Sequence, residues 1–273
     1  MIGEIYIETD LGMYLWGDSL TTMRDISNDS VDVVICSPPF EGDLNICDAD
    51  RSGDRFVNWF ANFFNEFERI LPPHGVVAFE LGGLWLDDVS GKSIQHSSFL
   101  QYLISRGWRL IQELFYFNPQ LLRPQPKVGS PRLPDSITPI WLVSRDYTGH
   151  YQVSVTEREP YARYIHGNLL NFDTSDRHDQ QYEHFLAEKG ESPYVDRWPS
   201  ILPAFLIELL TVRGQTILDS FAGTGATCHA ANRLGRRWIG IERDRSLSRH
   251  VDAMFSDLDS KKRNRFTNPI IMD

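Results

Sequence analysis

Residues 215–244 constrain the fold of this chain more than any other stretch. Residues 216–218 are short, apolar and β-rich, and read as a buried strand that Asp219 ends. Phe221-Ala222-Gly223-Thr224-Gly225 then turns the chain, the glycines allowing φ > 0 and bare backbone toward a ligand. Residues 227–234 have helical spacing and Gly235 stops them as a C-cap; residues 237–241 form a second strand with Glu242 at its tip. This is a β-α-β unit whose glycine turn presents N–H groups at a helix N-terminus. Glu242 lies about 20 residues further on, where an acid meets ribose hydroxyls in nucleotide-binding α/β folds. The dinucleotide pattern Gly-x-Gly-x-x-Gly is broken by Cys228. A smaller nucleoside ligand fits better, S-adenosylmethionine (AdoMet) foremost. A turn whose glycines serve only packing stays open at this point.

Composition narrows the class. The chain has 273 residues, 41% hydrophobic and 23% charged, enough for one large α/β domain with or without an insert. It has no apolar run of the ~20 residues a membrane span needs, and no signal-peptide pattern at its start. Cys36, Cys47 and Cys228 lack metal-ligand spacing and fit a reducing cytoplasm, and His150, His166, His178 and His184 are scattered, so no metal is expected. A net charge of −10 gives no global affinity for nucleic acid, so such binding needs a local basic surface.

Seven candidate strands occupy residues 13–16, 31–36, 76–81, 109–117, 137–144, 216–218 and 237–241. Residues 20–26 read as a short helix capped by Asp18 or Ser19, and residues 56–71 as a helix with an aromatic stripe that belongs in the core. Residues 118–134 are proline-rich and acid-free, with three bases, Arg123, Lys127 and Arg132. Residues 146–196 lose periodicity and read as an insert. The strand over 31–36 runs into Ser37-Pro38-Pro39-Phe40. Two prolines remove two backbone donors, leaving carbonyls beside a hydroxyl and a flat ring. That suits a planar group bearing an exocyclic amine; a plain rigid turn is the bland alternative.

Taken together, Ser37-Pro-Pro-Phe40 and the later Asp219-Ser-Phe-Ala-Gly-Thr-Gly225 resemble the β class of DNA amino-methyltransferases, in which the catalytic motif precedes the AdoMet motif. The serine form is similar to the cytosine-N4 subgroup. Gly17-Asp18-Ser19 resembles the family's acidic turn near the adenine of AdoMet, and Leu234-Gly-Arg-Arg-Trp-Ile-Gly-Ile-Glu242 its second strand. Ser220 and Ala226 depart from the family's usual proline and threonine. The resemblance implies a Rossmann-like AdoMet-dependent methyltransferase fold: α/β, a mostly parallel seven-stranded sheet with helices on both faces, in circularly permuted motif order. Residues 1–145 would be the catalytic half, 146–196 a target-recognition insert, and 197–273 the AdoMet half with a basic tail. It further implies that Asp18, Asp219, Phe221, Ala222, Gly223, Gly225 and Glu242 hold AdoMet and that Ser37, Pro38, Pro39 and Phe40 act on a flipped cytosine. Arg123, Lys127 and Arg132 are then expected to grip double-stranded DNA, with a cognate restriction endonuclease as a partner the resemblance allows. Adenine-N6 methylation, and an inactive nucleic-acid-binding protein keeping the fold, are the alternatives. Cys36 sits on the other face of its strand from Ser37 and reads as a core thiol, not a nucleophile.

Overall fold

The computed structural model describes residues 3–39, 53–83, 93–118, 135–146, 151–172 and 176–258. Its elements, in chain order, are β1 (Glu4–Thr9), β2 (Gly12–Trp16), α1 (Ser19–Met23), β3 (Val33–Cys36), α2 (Gly53–Ile70), β4 (Val76–Glu80) and α3 (Gln95–Ser105). There follow β5 (Arg109–Phe117), β6 (Ile137–Ser144), β7 (Ile165–His166), β8 (Leu169–Leu170), α4 (Arg177–Glu188), α5 (Ile201–Leu210), β9 (Thr216–Asp219), α6 (Ala226–Arg233), β10 (Arg237–Glu242) and α7 (Ser248–Met254).

All strands join one ten-stranded sheet, in the order β1-β2-β10-β9-β3-β4-β6-β5-β8-β7. The seven strands expected from the sequence are its contiguous middle. The expectation of seven is corrected by three additions at the edges. Strand β1 is antiparallel to β2, and the two-residue strands β8 and β7 extend the other side. The additions leave little trace in the sequence, because β1 is half exposed and β7 and β8 are too short to show a period. The sheet is also more mixed than expected: β6 runs antiparallel to both β4 and β5.

Strands β2, β10, β9, β3 and β4 are mutually parallel. The β9-α6-β10 unit steps one way along the sheet and the β3-α2-β4 unit steps the other, so the winding reverses between β9 and β3. Ligands in open α/β sheets sit beyond the carboxyl ends of strands at such a reversal.

Alternation along the strands builds a core on each face. Tyr14, Val33, Ile35, Val76, Ala78, Ile217 and Trp238 pack on α5, α6 and α7. Met13, Val34, Cys36, Val77, Phe79, Leu218 and Ile239 pack on the aromatic stripe of α2 and on α3. Phe60, Phe64 and Phe67 of that stripe are fully buried, as the sequence pattern requires. Within residues 146–196, Val155, Tyr161, Leu170, Phe172, Tyr182 and Leu186 are buried in the same core as the first set. Helix α4 is not legible in the sequence because its polar face dominates; Asp176 caps it through the N–H groups of His178 and Asp179.

Gly225 precedes α6 at φ 86°, and a Cβ there would lie 2.8 Å from Cε2 of Phe255. A side chain at that position meets both a left-handed backbone and a packed ring. Gly225→Ala is expected to cost about 2–4 kcal/mol of stability. Urea denaturation checks this; a loss near zero would show that α7 gives way freely.

Candidate active site

The five parallel strands bring five polar groups to one edge of the sheet. Asp18 follows β2, Glu242 ends β10, Asp219 ends β9, Ser37 follows β3 and Glu80 ends β4. All five line one cleft of ≈ 500 Å³, a size ordinary for a small-molecule site. Pro38, Pro39, Phe221, Ala222 and Gly223 line it as well. Of the other residues singled out by sequence, Phe40, Arg123, Lys127 and Arg132 lie outside the described residues, as does Lys261-Lys262-Arg263 of the tail.

Gly225 does not line the cleft. It is buried behind the turn against Phe255 and Tyr14, so its glycine serves packing. Gly223 is the opposite case. It has φ 52°, and an added Cβ would meet nothing nearer than 3.9 Å. The two glycines of one motif therefore answer to different demands, and only the first leaves space for a ligand.

Glu242 fastens the turn. Its Oε2 accepts from the Gly223 N–H at 2.9 Å, and its Oε1 from the N–H groups of Arg243 and Asp244 at 2.8 Å each. A carboxylate offers about four acceptor positions, so one remains for a hydroxyl in the cleft. Burial raises the Glu242 pKa against the lowering effect of these N–H groups. Behind the turn, the Tyr14 hydroxyl donates to the Gly223 carbonyl at 2.6 Å. Ser19 donates to the Ser220 carbonyl at 2.6 Å. Neither partner is evident from sequence, because each belongs to a distant strand or helix. Asp18 is exposed and caps α1, accepting from the Thr21 N–H and hydroxyl at 2.9 Å each. Burial pushes Asp219 up to about 7, opposed by hydrogen bonds from the Thr227 hydroxyl and the Phe221 N–H.

The Phe221 ring packs on Phe63 at 4.7 Å between centroids and on Trp59 at 5.9 Å. Trp59 and Phe63 also line the cleft. The expectation that the α2 stripe is core alone is thus corrected at this end: Phe63 belongs to both, and Trp59 sits beside it. A flat aromatic shelf next to a carboxylate suits a nucleoside, whose ring stacks while its hydroxyls donate.

Glu80 is the cleft residue that sequence reasoning misses. Residues 76–80 look like a uniform buried strand with an acid at the end. Cys36 pairs with Phe79 across β3 and β4, so Ser37 and Glu80 are the next neighbours and point to the same face. The Ser37 hydroxyl donates to Glu80 Oε2 at 3.1 Å. The indole N–H of Trp198 donates to the same oxygen at 2.5 Å, and the Thr138 hydroxyl donates to Oε1. Glu80 is 4% exposed, and burial raises its pKa despite these three donors. An acid closing an apolar strand in register with the serine is the available signal. Cys36, by contrast, is fully buried, which pushes its thiol well above the usual range and keeps it inert.

The comparisons agree with this geometry. Residues 31–252 match the model of a family described as DNA methylase. The Type II methyltransferase M.PvuII of Proteus hauseri is 24% identical over 278 aligned residues, covering 87% of this chain and 81% of its own. M.BamHI of Bacillus amyloliquefaciens, also a Type II methyltransferase, is 23% identical over 250 residues, covering 87% of this chain and 56% of its own. Among solved structures, the PvuII DNA methyltransferase (cytosine-N4-specific) superposes with a TM-score of 0.77 at 24% identity, covering 92% of this chain and 88% of that one. A DNA modification methylase of Thermus thermophilus, complexed with S-adenosyl-L-methionine and named with the qualifier of its unproven activity, gives 0.61 at 19% identity, covering 89% and 93%. These two likenesses establish the fold.

Proposed function

Because the chain belongs to the DNA methylase family, whose model spans residues 31–252, we propose that it transfers the methyl group of AdoMet to the exocyclic N4 amine of cytosine in double-stranded DNA. One observation carries the choice of an amine. The Ser37 proton is committed to Glu80, so the lone pairs of Ser37 Oγ are left to accept from a substrate N–H. Pro38 and Pro39 have no backbone N–H to compete.

AdoMet, when bound, supplies an electrophilic methyl group. The residues fit it: the space at Gly223, the shelf of Trp59, Phe63 and Phe221, and the carboxylate of Glu242 for ribose hydroxyls. On the acceptor side, the N4 lone pair is delocalised into the ring. Ser37 Oγ and the Pro38 carbonyl accept the two amine protons and favour a pyramidal nitrogen. Positioning is then the main catalytic contribution. Methyl transfer leaves one proton too many on nitrogen. That N–H breaks toward Ser37 Oγ as the Ser37 proton passes to Glu80, whose raised pKa suits it to receive one. The base must leave the duplex stack to reach this cleft. The Phe40 ring is proposed to receive it, at about 1–3 kcal/mol of stacking.

The test uses tritiated AdoMet with duplex DNA, followed by nucleoside analysis. N4-methylcytosine is expected. N6-methyladenine would move the reading to the adenine subgroup. No transfer together with no AdoMet binding would mean an inactive DNA-binding protein. A restriction endonuclease of the same recognition sequence is the proposed partner, checked by challenging methylated plasmid with Type II nucleases; cutting by all of them would remove it.

Arg123, Lys127 and Arg132 are proposed to contact phosphates, being an acid-free basic run in an acidic chain. Replacing one should weaken cognate and random duplexes alike and lower the salt slope by about one unit. A triple alanine variant with unchanged affinity and slope would eliminate this surface.

A further inference from the structure

Outside the cleft, three donors from distant parts of the chain converge. His178 lies in the first turn of α4, His229 in the first turn of α6, and Asp257 just beyond α7. One donor atom from each lies within 4.8 Å of the others. His229 is 2% exposed, and its Nε2 is 2.9 Å from Asp257 Oδ1. The rings of His178 and His229 are 5.6 Å apart between centroids. The Nδ1 atoms of both rings are buried and have no hydrogen-bond partner among the described residues. A buried polar atom left unpaired costs about 1–3 kcal/mol, and each of the two neighbouring rings carries one.

From this juxtaposition we propose a divalent metal site, His178–His229–Asp257, suited to zinc with water as a fourth ligand. Two imidazoles and one carboxylate are a borderline donor set that Zn²⁺ takes readily. Bonds of about 2.0–2.2 Å require the widest pair of donors to close by roughly an ångström. His178 is only half-buried and can make that adjustment. Arg233 and Asp176, of opposite charge, also act on His178 electrostatically, and Asp257 would supply one negative charge toward the ion.

The ion would tie α4 and the end of α7 to the helix that follows the glycine turn. The site is structural: it stands apart from the methyl-transfer residues and takes no part in the reaction. His229 lies four positions after Gly225, so the ion would steady the cleft from behind. Sequence spacing carries no hint of it, because the three ligands are 51 and 28 residues apart (229 − 178 and 257 − 229).

The test uses the whole chain after chelator treatment. Titration with Co²⁺ should give the visible absorption of a four-coordinate N/O site, saturating at one equivalent. Zn²⁺ should displace it. At about 100-fold excess over its Kd, Zn²⁺ should raise Tm by about 5 °C or more. His178→Gln and Asp257→Asn avoid the fully buried His229, and each should weaken binding at least about tenfold. No saturable absorption in the wild type would overturn the site. So would binding and a Tm shift that both variants keep in full, since the ion would then be held elsewhere.

Discussion

Ser37→Ala is expected to lower kcat by about 10²–10³-fold while leaving the Kd for AdoMet within about twofold. In the proposed reaction the hydroxyl faces the amine to be methylated, and among the described residues its side-chain hydrogen bond is to Glu80. Glu80→Gln should cut kcat to a similar extent, because an amide can donate to Ser37 and reverse its polarity. The pH profile separates this role from a packing role. Burial raises the Glu80 pKa above its ordinary 4.5. The group is neutral below that raised value, and turnover needs the carboxylate, so kcat should climb with pH along a limb lying above the usual carboxylate range. In Glu80→Gln that limb should vanish. Turnover near wild type in Ser37→Ala would sink the amine-acceptor role. A limb unchanged in Glu80→Gln would assign the titration to another group.

Glu242→Ala should weaken AdoMet about 10²-fold or more. One carboxylate holds three N–H groups of the turn and keeps one acceptor position for the ligand. Its removal loses a charge-assisted contact of about 1.5–3 kcal/mol and unfastens the Gly223 turn as well. Glu242→Gln keeps one carbonyl oxygen and should fall between. Titration calorimetry on protein with a normal unfolding transition is the check; an unchanged Kd would place the ribose elsewhere. The raised pKa of Glu242 gives the same sign on acidification: affinity should fall as the carboxylate takes up a proton.

Much of this site is local in sequence, and that part can be read. Asp18, Ser37, Asp219 and Glu242 each follow or end an apolar run, and parallel strands carry such residues to one edge of a sheet. Glu80 ends a run in the same way but is hidden within it. Its importance comes from register with Cys36 and Ser37, a relation between strands that no single strand displays. Gly225 is legible as a turn residue, but the packing that demands a glycine there is not, because Phe255, which fills the space behind it, lies 30 residues on (255 − 225). The 146–196 stretch is opaque for a different reason. Its buried side chains, such as Tyr161, Phe172 and Tyr182, come singly from short turns and from one helix with a polar face. Burial of that kind has no period to detect.

The pairing of β2 with β10 has a consequence for how the molecule comes into being. Gly12 aligns with Trp238, and Trp16 with Glu242. The parallel contact on the Glu242 side of the cleft thus joins segments 226 residues apart (238 − 12). A growing chain can assemble β3, β4 and the antiparallel β5–β6 pair early. The Glu242 side of the cleft is complete only once β10 pairs between β2 and β9. Loop closure over so long a span is slow relative to local pairing. Closure of that long span, rather than local pairing of neighbouring strands, therefore sets the moment at which this fold can first hold its methyl donor.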